Sequence, residues 1–162
     1  MKVENYKYNS KGDGFHVSYL LQADYNDSLP PSATKALIDF TLSQDTPLSQ
    51  LGKVGQIQTQ KIALINKSAE QSQGMAVAIV SVPSCLTVEL VQLELLKEGG
   101  SIDNFEISAD NTLITLYWTY LKAGATQEVT LARTRTFAGT VCQERASQAY
   151  LYYDDDQKVW LK

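Results

Sequence analysis

Residues 74–100 read GMAVAIVSVPSCLTVELVQLELLKEGG. The run 75–82 is largely apolar, the pattern of a strand central in its sheet and covered on both faces. Pro83 stops it, because proline cannot donate to a sheet ladder. Residues 87–98 fit two periods. At helical spacing Val88, Val91 and Leu95 form one stripe, and Leu86, Leu90 and Leu93 form a second. At strand spacing Val88 and Leu90 alternate, and Val91, Leu93 and Leu95 alternate on the other phase. Propensity favours the helix, since Leu, Glu, Gln and Lys are good helix formers. Ser84 or Thr87 is placed to cap its start, and Gly99 and Gly100 to end it. The stretch is therefore read as a buried strand that hands over to one short helix.

Outward from this centre the chain reads as short strands. Upstream, 54–65 is a strand in which Ile57 is out of phase with Ile62 and Leu64, so a bulge is expected between them. Residues 36–43 carry Ile38, Phe40 and Leu42 in register. Residues 3–8 and 15–25 form a hairpin around the turn 9–14, followed by a Pro-containing linker over 26–34. Downstream, 102–108, 112–120 and 127–133 are three strands, with a tight turn at 109–111. Residues 137–145 are irregular, with room for a short strand near Val141. The strands 149–153 and 158–161 close the chain around an acidic turn at 154–156. Many short strands with turn signals and at most one helix describe an all-β, antiparallel sandwich.

The 162 residues carry 14 basic and 18 acidic side chains, a net charge of -4. The basic residues are few and scattered, which excludes a nucleic-acid groove. No apolar run is long enough for a membrane-spanning helix, and the start shows no leader pattern. If the protein is exported, this chain is a piece of something longer. Cys85 and Cys142 are open to two readings, one long-range disulfide or two separate thiols.

No catalytic constellation stands out. His16 is the single histidine and sits out of phase with Phe15 and Val17, as a sheet-surface residue would. With two cysteines it makes no zinc site. Asp154, Asp155 and Asp156 are consecutive, lack the spacing of a calcium loop, and read as a solvated turn. No nucleotide-binding or hydrolase motif is present. The chain is therefore expected to be no enzyme, with no cofactor, no metal and no small-molecule substrate. Tyr152 and Tyr153 lie in a strand reading, so one ring is expected inward and the other on the surface. Trp118 and Tyr120 share a face with Ile114 and Leu116 and read as core. Asn26 and Asn66 each begin a glycosylation sequon.

From residue 54 onward an ordered series resembles a known family. IALINKS at 62–68, GMAVAIVSVPSCL at 74–86, ELLKEGGSIDNFEI at 94–107, FAG at 137–139 and AYLYYDDDQKVW at 149–160 carry the resemblance. Together they are similar to the C-terminal receptor-binding domain of the alpha-2-macroglobulin and complement-like thioester proteins. The resemblance implies an immunoglobulin-like β-sandwich with one short helix over 35–162. Residues 1–34 are then the tail of a preceding domain, or an extra strand pair, plus a linker.

The resemblance further implies a non-catalytic C-terminal module of a secreted or periplasmic protein that traps proteases or marks surfaces. Its partners would be the neighbouring domains of that parent, target proteases through the parent, and in some branches a protein receptor. In the family, receptor binding uses two lysines one helical turn apart. Those positions fall at Leu90 and Glu94 here, and Lys97 alone is a poor substitute for a pair of ammonium groups. Leu90, Glu94, Lys97, Tyr152 and Tyr153 are the candidate partner surface. The alternative is a free-standing adhesion or carbohydrate-binding sandwich with a row of exposed aromatics.

Overall fold

The computed structural model describes residues 29–138 and 142–162. The 3–25 hairpin with His16, the Asn26 sequon and the short strand near Val141 lie outside the described residues. Two antiparallel sheets face each other. The first contains β1 (Ile38–Gln44), β2 (Ile57–Asn66), β4 (Leu86–Val88) and β7 (Thr126–Arg135), in the order β1-β2-β7-β4. The second contains β3 (Ala76–Ser81), β5 (Asn104–Ile107), β6 (Leu113–Trp118), β8 (Ser147–Leu151) and β9 (Asp154–Leu161), in the order β5-β6-β3-β8-β9. Among the described residues one helix, α1 (Leu90–Glu98), follows β4, and one 3-10 turn spans Leu48–Gln50. This is an immunoglobulin-like sandwich with one short helix.

The core strand is central, as its composition predicts. β3 lies between β6 and β8, and Ala76, Ala78 and Val80 point into the sandwich. They meet Ile38, Phe40, Ile62, Leu64, Val129 and Leu131 of the first sheet in one apolar cluster. Such burial supplies the main favourable term, about 25 cal/mol per Å² of apolar surface.

The other end of the core is polar. On β2 the inward phase is Gln58, Gln60, Ile62 and Leu64, and both glutamines are fully buried. No bulge interrupts this strand: its register against β7 runs unbroken from Ile57↔Thr134 to Ile65↔Thr126. The expected bulge is thus replaced by inward glutamines, and Ile57 faces solvent. An unbroken ladder keeps every backbone donor paired, which outweighs turning one isoleucine inward. The partner of Gln58 across the ladder is Arg133, whose side chain is also buried.

Two turns follow local chemistry. At 109–111 Asn111 takes φ 56°, a left-handed conformation that asparagine tolerates. Asp110 Oδ1 accepts hydrogen bonds from Ser108 Oγ at 2.6 Å and from the Thr112 amide at 3.2 Å. These bonds, Ser108 first, hold its carboxyl down to about 2.

The last hairpin departs from expectation. Leu151 pairs with Asp154, so the turn is Tyr152-Tyr153 and the three aspartates lie on β9. The Tyr152 amide donates to Met75 O at 2.8 Å, which extends the β3–β8 ladder one step and forces the reversal there. β6 ends at Trp118, whose indole N–H donates to Ser101 O at 2.8 Å. Tyr120 therefore leaves the sheet and is exposed, not core.

Candidate functional site

The helix begins later than its sequence suggests. Residues 86–88 form β4, paired with β7 through Leu86↔Arg135, Thr87↔Thr134 and Val88↔Arg133. Glu89 occupies the cap position without a side-chain bond, so neither Ser84 nor Thr87 caps the helix. The far end follows the glycines. Gly100 has φ 71°, its amide donates to Lys97 O at 3.1 Å, and Ser101 donates to Leu96 O at 2.9 Å. This is the Schellman arrangement, with glycine at the left-handed position.

Gln92 sets the rotation of α1. Its Nε2 donates to Ala132 O at 2.9 Å, and its Oε1 accepts from the Ala132 amide at 2.8 Å. The side-chain amide thus continues the β4 pairing along β7 where the backbone has already turned into helix. With Gln92 held, Leu93 is fully buried and Leu96 packs partly against the core. Leu90, Val91 and Leu95 then face outward, at 50 %, 56 % and 60 % exposure. Neither expected apolar stripe is buried whole. Gln92→Ala should cost about 1–2 kcal/mol, two hydrogen bonds lost from a half-buried site. Urea unfolding measures that loss, and faster amide exchange across α1 locates it.

The outward face of α1 holds Leu90 and Glu94 one turn apart, with Val91 and Leu95 beside them. Glu94 and Lys97 are exposed, and Lys97 Nζ reaches Asn104 Oδ1 at 2.9 Å. Val91 and Leu95, placed on one of two apolar stripes by the sequence, join this outward face. Leu90, Val91 and Leu95 thus leave apolar side chains exposed on this side of the helix.

Tyr152 and Tyr153 are both outward, at 53 % and 86 % exposure, because they form the turn itself. One-in, one-out alternation holds only inside a strand. Their rings meet edge to face with centroids 5.2 Å apart. Lys97 and Asn104 link the two regions, since Asn104 lines a groove that also holds both tyrosines.

Cys85 and Cys142 are joined as a disulfide with a Cα–Cα distance of 5.2 Å. It ties the loop before β4 to the segment after β7. Ser84 N donates to Gln143 O at 3.0 Å in the same crossing. The guanidinium of buried Arg135 lies against both sulfurs, 3.1 Å from Cys142 Sγ and 3.6 Å from Cys85 Sγ.

Asn66 is no glycan acceptor in this fold. It is 2 % exposed, and its Nδ2 is within bonding distance of Gln71 O, Lys122 O and Leu121 O, at 2.8, 3.0 and 3.3 Å. The sequon asparagine is a loop clamp. Consecutive residues of β9 face opposite ways, so Asp154, Asp155 and Asp156 do not converge. Among the described residues no three His, Cys, Asp or Glu side chains gather as a metal would need.

Compared with curated proteins, the chain matches none. Residues 71–160 match the family model described as the A-macroglobulin receptor binding domain, which spans 90 of the 162 residues. That span opens just before β3 and closes one residue short of the end of β9, so it takes in α1 and all of the second sheet but that residue. With the match covering more than half the chain and the sandwich and helix in place, the chain belongs to the A-macroglobulin receptor binding domain family.

Proposed function

We propose that this chain is the non-catalytic C-terminal module of a larger secreted or periplasmic macroglobulin-like protein, of the protease-trapping or complement-like kind. Its work is to pack against neighbouring domains of that parent and to change exposure when the parent is activated. Target proteases meet the parent, not this module. Residues 35–162 are the sandwich, and 1–34 belong to a preceding domain or to an extra strand pair with its linker.

The carrying observation is the outward face of α1. Where a receptor-binding relative would present two lysines, this helix presents Leu90 and Glu94 beside exposed Val91 and Leu95. An acidic receptor pocket gains nothing from that face, whereas a neighbouring apolar domain does. Tyr152 and Tyr153 supply a second exposed aromatic pair of the kind enriched at interfaces.

Hydrogen–deuterium exchange on the intact parent tests the proposal. Residues 90–95 should be protected in the uncleaved parent relative to the isolated chain. Protease cleavage of the parent should remove that protection. Equal exchange in all three states would overturn the interdomain role.

A further inference from the structure

The outer face of the second sheet carries a groove away from the outward face of α1. In the cross-strand register Asn104, Tyr117, Val77 and Tyr150 stand in one row across β5, β6, β3 and β8. Val77 is only 2 % exposed although among the described residues no sheet lies over this face, and Tyr117 and Tyr150 flank it in the register. Beyond the row, the Tyr152-Tyr153 turn closes one end of a groove of about 530 Å³. Asp103, Glu106, Tyr117, Tyr152 and Tyr153 line it, and none of its lining residues is cationic.

The carboxylates are positioned. Asp103 Oδ2 accepts from the Thr119 amide at 2.6 Å and from Thr119 Oγ1 at 2.9 Å, which fixes the group at the groove wall. Burial raises the Tyr117 phenol, and the Glu106 charge, with Tyr150 and Tyr152, adds to the rise. With Asp103 and Glu106 in its lining and no cationic side chain there, the groove carries negative charge and disfavours a further anion. The same sheet face already holds one cation on a ring: Lys158 Nζ sits 5.2 Å from the centroid of Tyr150. Lys97 is the cation at the rim, and it is bonded to Asn104.

Tyr153 and Met75 also border a second depression of about 220 Å³, with Leu37 and Leu151 in its wall. The two depressions adjoin along the turn, one acidic and aromatic, the next largely apolar. That sequence of chemistry fits an extended chain bearing a basic side chain and, close by, an apolar one.

We propose that this groove docks a basic segment of a partner protein, with a guanidinium or ammonium among Asp103, Glu106 and the Tyr152-Tyr153 rings and an apolar side chain beyond Tyr153. The proposal goes beyond the parent-protein reading and does not depend on it: the two share the Tyr152-Tyr153 turn, but the groove's acidic wall is separate from the apolar face of α1 that carries that reading.

The test uses the 162-residue chain labelled with nitrogen-15 and titrated with the acetylated, amidated pentapeptide Gly-Arg-Gly-Leu-Gly. Amide shifts should cluster at Asn104, Glu106, Thr119, Tyr152 and Tyr153. Replacing arginine by neutral, near-isosteric citrulline should weaken binding about fivefold, the scale of one exposed cation–π contact with a carboxylate beside it. Glu106→Gln and Tyr153→Ala, both on the surface, should each weaken it about two- to fivefold with the rest of the spectrum unmoved. Equal binding of the citrulline peptide, shifts scattered away from the groove, or no binding at all would overturn the proposal. A neutral trisaccharide that shifts these same amides while the arginine peptide does not would also overturn it, and would mark a carbohydrate site.

Discussion

Removing the Cys85–Cys142 bond lowers the stability of the domain by about 4 kcal/mol, the chain-entropy value for a closed loop of this length. The two cysteines are 57 positions apart, and β4, α1, β5, β6 and β7 all lie in the loop they close. The unfolded chain therefore gains much freedom when the bond is lost. The native state loses little apolar burial, because Cys85 is small. The Cys85→Ala/Cys142→Ala variant should keep the sandwich and melt roughly 8–16 °C lower, at 2–4 °C per kcal/mol for a chain of this size. Urea unfolding with and without a reducing agent measures the same loss in the native sequence. A change below about 1 kcal/mol would mean that the unfolded chain is already restrained by residual structure.

The second large effect comes from Arg133. Its side chain is fully buried, and burial disfavours its charge. The guanidinium is held by the Gln58 carbonyl oxygen, by Ser81 O at 3.4 Å and by the Glu144 carboxylate at 3.5 Å. Ser81 belongs to the opposite sheet, so Arg133 pins the sandwich across its polar end. Arg133→Ala should cost about 3–5 kcal/mol, because it leaves Gln58 and Glu144 without their partner and opens a cavity. The double variant Arg133→Met/Gln58→Met should recover at least half of that loss. Well-packed apolar side chains often replace a buried charged network with little net cost. Chemical denaturation of the two variants gives both numbers. A double variant no better than the single would show that the pin is worth more than its desolvation.

The disulfide was one of the two readings open for Cys85 and Cys142, whereas the role of Arg133 was hidden by the pattern. Arginine at the end of a strand reads as a surface residue, and 127–133 gave no sign that β7 continues to Arg135 with both arginines inward. The bulge expected on β2 rests on the phase of Ile57 against Ile62 and Leu64 alone, and Gln58 and Gln60 do not enter it. The signal for the buried polar end was present in outline: Gln58, Gln60, Arg133 and Arg135 all lie on the phase of Ile62, Leu64, Val129 and Leu131.

The candidate surfaces divide in the same way. Leu90, Glu94 and Lys97 were placed on the helix from sequence, and they are on it. That Val91 and Leu95 stay outside could not be read there, since a nine-residue helix with leucines on every side has no preferred buried face. The choice is made by Gln92, through two bonds to a residue 40 positions away. One ring of the tyrosine pair was expected inward, but both are exposed, because the Leu151↔Asp154 register makes the pair the turn itself.

Local pattern places the strands within 36–43, 54–65, 75–82, 102–108, 112–120 and 127–133, the central position of 75–82, the short helix ended by glycine and the turn at 109–111. These are local matters, set by side-chain period, by proline's missing donor and by which residues accept a left-handed backbone. Which side of α1 is covered, which polar residues enter the core and where the last hairpin turns are settled by long-range contacts. Each of those depends on hydrogen bonds between segments far apart in the chain, and no local pattern encodes a partner that distant.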